Sequence, residues 1–130
     1  MALTPLKEAG RSFIAWSWSA DGRRLAGVMA SADDDYPGIW VYEIEAEQYH
    51  QISSLGAYPI WLNDSRRLFF SDEHKLYLAD TQSNTPSGTA RVVVNVAPDE
   101  VKYGVPARDD QRVYYNVRSA ESDIWLLTLK

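Results

Sequence analysis

Ser17-Trp18-Ser19-Ala20-Asp21-Gly22-Arg23-Arg24-Leu25 reads as the end of one strand, a tight turn at Asp21-Gly22 and the start of the next strand. An aspartate at the first corner accepts a hydrogen bond from backbone two residues on, and glycine supplies a positive φ without steric cost. The stretch recurs. Ile60-Trp61-Leu62-Asn63-Asp64-Ser65-Arg66-Arg67-Leu68 repeats it, and Val105-Pro106-Ala107-Arg108-Asp109-Asp110-Gln111-Arg112-Val113 is a worn third copy. Gly22 meets the positive-φ demand best. Asp110 adopts that conformation at modest cost and Ser65 less readily. The second turn is therefore expected to be the most strained or of a different type.

The turn aspartates Asp21, Asp64 and Asp109 lie 43 and 45 residues apart, close to the period of ~40–45 residues of a four-stranded propeller blade. The rest of each unit falls into register. An apolar strand follows each turn, at 24–29, 67–71 and 112–117. After a hairpin comes a third strand, at 39–44, 76–80 and 124–129, whose second position is aromatic in every copy (Trp40, Tyr77, Trp125). A fourth strand, at 49–53 and 91–94, completes the first two units. Turn punctuation at short intervals and the lack of sustained helical periodicity complete an all-β signature.

At 130 residues, with 45% hydrophobic and 24% charged residues, the chain is expected to be one soluble globular domain. Its net charge of −5 and lack of a basic run argue against nucleic acid and anionic membrane as partners. With no cysteine there is no disulfide, thiolate nucleophile or cysteine-based zinc site. The first residues do not read as a secretory signal, and no stretch approaches the ~20 apolar residues of a membrane span. Compartment stays open: cytoplasmic by default, periplasmic if the chain is an excerpt.

Trp18-Ser19-Ala20-Asp21-Gly22-Arg23-Arg24-Leu25 resembles the Trp-Ser-Pro-Asp-Gly-Lys/Arg turn of the TolB-type β-propeller repeat, matching all but the proline. The second copy keeps Trp61, Asp64, Arg66, Arg67 and Leu68. The third keeps Asp109, Arg112 and an apolar Val113. The later Asp-Ile-Trp pattern of the family stands here as Gly38-Ile39-Trp40 and Asp123-Ile124-Trp125. The ending resembles that of propeller modules in bacterial sensor-like proteins. The resemblance implies three blades: residues 11–53, 56–95 and 101–130, the last lacking its outer strand, with residues 1–8 as a strand that completes a neighbouring or partner blade.

Family propellers usually close with six or more blades, so three leave two apolar faces open. Sequestering ~500 Å² on each would be worth roughly 12 kcal/mol gross per face at 25 cal/mol/Å². The expected resolution is a two-fold homodimer of six blades, in which the strand near Leu3 completes the partner's third blade. The alternative is a fragment whose missing blades lie upstream.

No hydrolase elbow, zincin motif or phosphate loop is present, so the expectation is a non-enzymatic interaction or ligand-sensing module. An accessory or gating propeller of a larger enzyme, or a purely architectural fragment, is the alternative. No cofactor or metal is expected, since Asp33-Asp34-Asp35 lacks the spacing of a calcium loop. Candidate binding residues are Asp33, Asp34, Asp35, Tyr36, Glu73, His74 and Arg118, on loops that do not repeat. If the second-to-third-strand loops share a face with the inter-blade loops, Asp99, Glu100 and Glu121 join them. A face this acidic suits a basic peptide or protein partner. The histidines His50 and His74 read as surface residues, and the tryptophans Trp18, Trp61, Trp40 and Trp125 as blade-packing core. Trp16 has no aromatic counterpart and is expected to serve something local. Arg23-Arg24 and Arg66-Arg67 read as solvated charges or partners of nearby acids. Asn63-Asp64-Ser65 reads as part of a turn, not a glycosylation site.

Overall fold

The computed structural model describes residues 11–31, 38–82, 90–118 and 123–129. Among these, strands alternate with turns and there is no helix. The first sheet is antiparallel and runs in chain order through β1 (Arg11–Trp18), β2 (Arg24–Ser31), β3 (Ile39–Glu43) and β4 (Gln48–Ser53). The second has the same order, β5 (Ala57–Trp61), β6 (Arg67–Asp72), β7 (Lys75–Asp80) and β8 (Arg91–Asn95). The third holds β9 (Glu100–Pro106), β10 (Arg112–Arg118) and β11 (Asp123–Thr128). This is the all-β, blade-by-blade arrangement that the repeat implies. Residues 1–8, the expected completing strand, lie outside the described residues.

The three repeat turns are the same turn. In each, the residue after the aspartate donates its N–H three residues back: Gly22 to Ser19, Ser65 to Leu62 and Asp110 to Ala107. In each, the aspartate Oδ1 accepts the N–H two residues on, from Arg23, Arg66 and Gln111 at 2.9–3.0 Å. Gly22, Ser65 and Asp110 have φ of 74°, 57° and 57°. The second turn is therefore not of a different type. Serine is held in a conformation that glycine would adopt more readily.

The reason lies in the seam between blades. Ser65 Oγ accepts the N–H of Asp21 at 2.9 Å, so the second blade's turn binds the first blade's. Asp110 Oδ1 accepts the N–H of Asn63 at 2.7 Å and its Nδ2 at 3.0 Å, binding the third blade's turn to the second's. Arg24 belongs to the same seam. Its guanidinium lies 4.7 Å from the centre of the Trp61 ring and donates to Ser65 O and to Thr81 Oγ1. It is a clamp between blades, not the solvated charge its sequence context suggests. Arg66 and Arg67 do pair with acids, Arg66 with Asp80 and Arg67 with Asp64.

Two apolar layers hold the blades face to face. Ala26, Ile39 and Val41 of the first blade meet Trp61, Leu68, Phe70 and Ala79 of the second. Leu62, Phe69, Leu76 and Leu78 of the second meet Val101 and Val113 of the third. The central blade is covered on both faces, so the period-2 alternation of a half-buried strand vanishes there. Leu68, Phe69 and Phe70 are consecutive and all fully buried. Trp18 departs from expectation. Its repeat equivalent Trp61 is buried, but Trp18 is among the most exposed large apolar side chains, because the described residues include no blade ahead of the first.

Candidate functional site

Strand register sorts the loops to two ends. The repeat turns occupy one end. At the other, Asp72 pairs with Lys75 across the β6–β7 hairpin, Lys75 with Asn95, Ala57 with Ser71, and Arg118 with Glu100. The hairpin Glu73-His74, the β4–β5 connection, the β8–β9 connection and the end of β10 therefore share one face. Glu73, His74 and Arg118 lie on it, as do Asp99 and Glu100. Asp33, Asp34, Asp35, Tyr36 and Glu121 lie outside the described residues.

The hairpin is fixed to the third blade. Glu73 takes a positive φ of 47° at the first corner of the two-residue loop. Its carbonyl accepts the N–H of Val101 at 2.9 Å, and the His74 carbonyl accepts that of Val96 at 2.8 Å. His74 Nδ1 is 2.6 Å from Asp99 O. A carbonyl only accepts, so Nδ1 carries the proton. His74 Nε2 then faces the Glu73 carboxylate at 3.8 Å. His74 is thus half-buried and held, more than a surface residue, while His50 is exposed beside Glu43. The bond from Val101 crosses from the second blade's hairpin to β9 of the third, and that to Asp99 reaches the connection just before it.

A cavity of about 490 Å³ opens between the blades here, lined by Leu55, Gly56, Tyr58, Asp72, Glu73 and Glu100 among others. Its carboxylates come from two separate stretches: Asp72 and Glu73 at the hairpin, Glu100 at the start of β9. Leu55, Ala57 and Val101 add apolar lining. Gly56, at φ 95°, lets the chain pass over Phe70, where a Cβ would stand 2.5 Å from the ring. Tyr58 in the wall meets Trp16 edge-on, ring centres 5.1 Å apart. That contact is the local service expected of Trp16: it ties β1 to β5. Beside the cavity, Pro98, Asp99, Glu100 and Arg118 line a smaller recess of about 360 Å³. Lys75 and Arg118 place positive charge at this end as well.

A larger depression of about 730 Å³ lies at the turn end, lined by Asp21, Arg23, Arg24, Glu43 and Thr81 among others. Several of its polar groups already serve the seam. The shifted carboxylates also sit at that end. Asp21 is held below the usual carboxylate range by the Ser19 hydroxyl and the Arg23 N–H. Burial pushes Asp64 up, but the Arg66 and Arg67 N–H groups and the Arg67 guanidinium outweigh it, and the net shift is down. The Arg66 guanidinium lowers Asp80, and the Gln111 N–H lowers Asp109. Asn63 spends its amide on Ala107 O and Asp110, which fits the structural reading of its triplet. Among the described residues no three His, Asp or Glu side chains are grouped to hold a metal ion.

Asp72, Leu55, Gly56 and Tyr58 escaped the sequence reading. The register of the β6–β7 hairpin is the signal that finds Asp72. The β4–β5 residues become visible only once the blades are stacked.

No family model matches the chain, and no curated protein matches it in sequence. Solved structures do match in fold. A TolB protein of Agrobacterium tumefaciens superposes with a TM-score of 0.72 at 11% identity, over 93% of this chain and 47% of that one. TolB of Acinetobacter baumannii gives 0.71 at 13% identity, over 90% and 30%. A prolyl endopeptidase gives 0.71 at 15% identity, over 95% and 21%. The chain has the fold of part of a β-propeller. The chain spans half or less of the length of each of these neighbours.

Proposed function

We propose that the chain is a non-enzymatic interaction or sensing module that takes a cationic segment of a partner on its loop face. The observation that carries this reading is that Asp72, Glu73 and Glu100 line one cavity together with Leu55, Ala57 and Val101. None of Asp72, Asp99 and Glu100 has a salt bridge among the described residues, so a lysine or arginine side chain gains a partner there. The fixed Glu73-His74 hairpin lowers the ordering cost of binding. Two of the fold neighbours are TolB proteins.

The test is calorimetric titration of the chain with a short Lys/Arg-rich peptide and with a neutral peptide of the same length. Binding is expected only for the cationic peptide. It should weaken at least tenfold between 50 and 500 mM salt, as roughly one screened pair per tenfold step, and again in Glu73→Gln/Glu100→Gln. Equal binding of both peptides, or no response to the double substitution, refutes the reading. The prolyl endopeptidase neighbour favours a second reading, a propeller that serves a catalytic domain. A hydrolase domain in the same open reading frame would decide for it.

A further inference from the structure

We infer that the outer faces of the first and third blades are the two halves of one interface, and that a second copy of this chain occupies both, closing a six-bladed ring. This goes beyond the loop-face reading and does not depend on it. The inference rests on comparing equivalent positions in the repeat. Phe69 and Leu78 sit on the face that the second blade turns to the third, and are 0% and 4% exposed. Their equivalents in the first blade, Ala26 and Val41, are 0% and 2% exposed against the second. Their equivalents in the third blade are Tyr114 and Leu126, which pair directly across β10 and β11. These are 45% and 51% exposed, and Val105, which pairs with Tyr114 from β9, is 56% exposed. The third blade thus carries the apolar row that its two predecessors bury, with nothing among the described residues against it.

The opposite face of the first blade is the matching half. Trp61 receives Ala26 and Val41 in the inter-blade layer. Its equivalent is Trp18, 57% exposed. A blade-to-blade contact of the kind already made twice within the chain would set one copy's Trp18 against the other's Tyr114 and Leu126. The contact runs head to tail, and such an interface closes only if its rotation does. Two copies related by a two-fold axis close it with both faces used. The seam between copies differs from those within the chain in one respect. Gly22 stands where Ser65 and Asp110 reach across, so no side chain there binds the preceding turn, and the junction relies on its apolar row.

The test is the mass of the 130-residue chain by sedimentation and light scattering at ~1–50 μM, the range in which interfaces of standard size assemble. The expected mass is twice 14.7 kDa. Trp18→Glu removes the head and Tyr114→Arg the tail. Both side chains are exposed, so both variants should keep the wild-type circular dichroism and sediment as monomers. Mixed in equal amounts they should return to a dimer, because one junction is then wild type and the other sets Glu against Arg. A monomeric wild type at 50 μM overturns the inference, as would be seen if the faces await further blades of a longer polypeptide. A concentration-dependent ladder of higher oligomers overturns closure at two. Variants that stay dimeric, or a mixture that stays monomeric, overturn the head-to-tail pairing.

Discussion

The second repeat turn offers a perturbation whose terms separate. Ser65 sits at φ 57° and its Oγ accepts the Asp21 N–H at 2.9 Å. Its backbone N–H and carbonyl also serve Leu62 and Arg24, and these bonds survive any substitution. Ser65→Ala loses one exposed hydrogen bond, about 0.5–1 kcal/mol, and keeps the unfavourable φ. Ser65→Gly loses the same bond but relieves about 1 kcal/mol of left-handed strain, net of the freedom glycine gains in the unfolded chain. Ser65→Gly should therefore be near neutral and Ser65→Ala less stable by about 1 kcal/mol. Gly22→Ala is the control, because a Cβ there meets nothing nearer than Trp18 Nε1 at 4.0 Å. Its cost is conformational alone, again about 1 kcal/mol. The assay is urea unfolding followed by tryptophan fluorescence at one fixed protein concentration. A difference of 1 kcal/mol shifts Tm by about 3–5 °C in a domain of this size. If Ser65→Ala is as stable as Ser65→Gly, positive φ is not what the turn imposes at this position, and the reasoning fails.

Phe69 is fully buried between the second and third blades, so Phe69→Ala should cost about 3–5 kcal/mol; a loss below about 1 kcal/mol in chemical denaturation would show that this layer is not packed as described. Acid should unfold the protein through its turn carboxylates. Asp64 and Asp80 have pKa values lowered in the fold, so the stability they contribute is fully present above the unfolded aspartate value near ~4 and is lost as pH falls through their folded values. Stability measured by urea unfolding should be flat above about pH 5 and fall below about pH 4, with a shallower fall in Asp64→Asn; an unchanged slope in that variant would remove Asp64 from the account.

The fold was legible because its punctuation is chemical. An aspartate that accepts its own backbone, set 43 and 45 residues apart, marks the same corner three times. Burial was less legible. Trp18 and Trp61 occupy equivalent positions, yet one is exposed and the other buried, because burial depends on what lies against a face and not on the strand that carries it. Less of the candidate site was legible. Glu73 and His74 stood out because their hairpin does not repeat, whereas Arg118, expected on a loop, ends β10 opposite Glu100. The meeting of Glu73 with Asp72, Glu100, Leu55 and Gly56 depends on how the second blade stacks against its neighbours, and one strand's sequence does not contain that.

The position after each turn aspartate shows how a repeat can leave its ideal residue and still keep its geometry. Gly22 satisfies the turn alone. Ser65 and Asp110 accept the same positive φ at a conformational cost, and each spends its side chain on the preceding blade. The choice therefore weighs about 1 kcal/mol of backbone preference against hydrogen bonds worth a similar amount across a seam. The balance can favour the polar residue only where a preceding turn is present to be bound. Ser65 and Asp110 each bind the preceding turn, whereas Gly22 has no side chain with which to do so. Departures from the repeat consensus are thus informative in themselves: at the turn end they mark the seams between blades, and at the opposite end they mark the loops that are free to meet a partner.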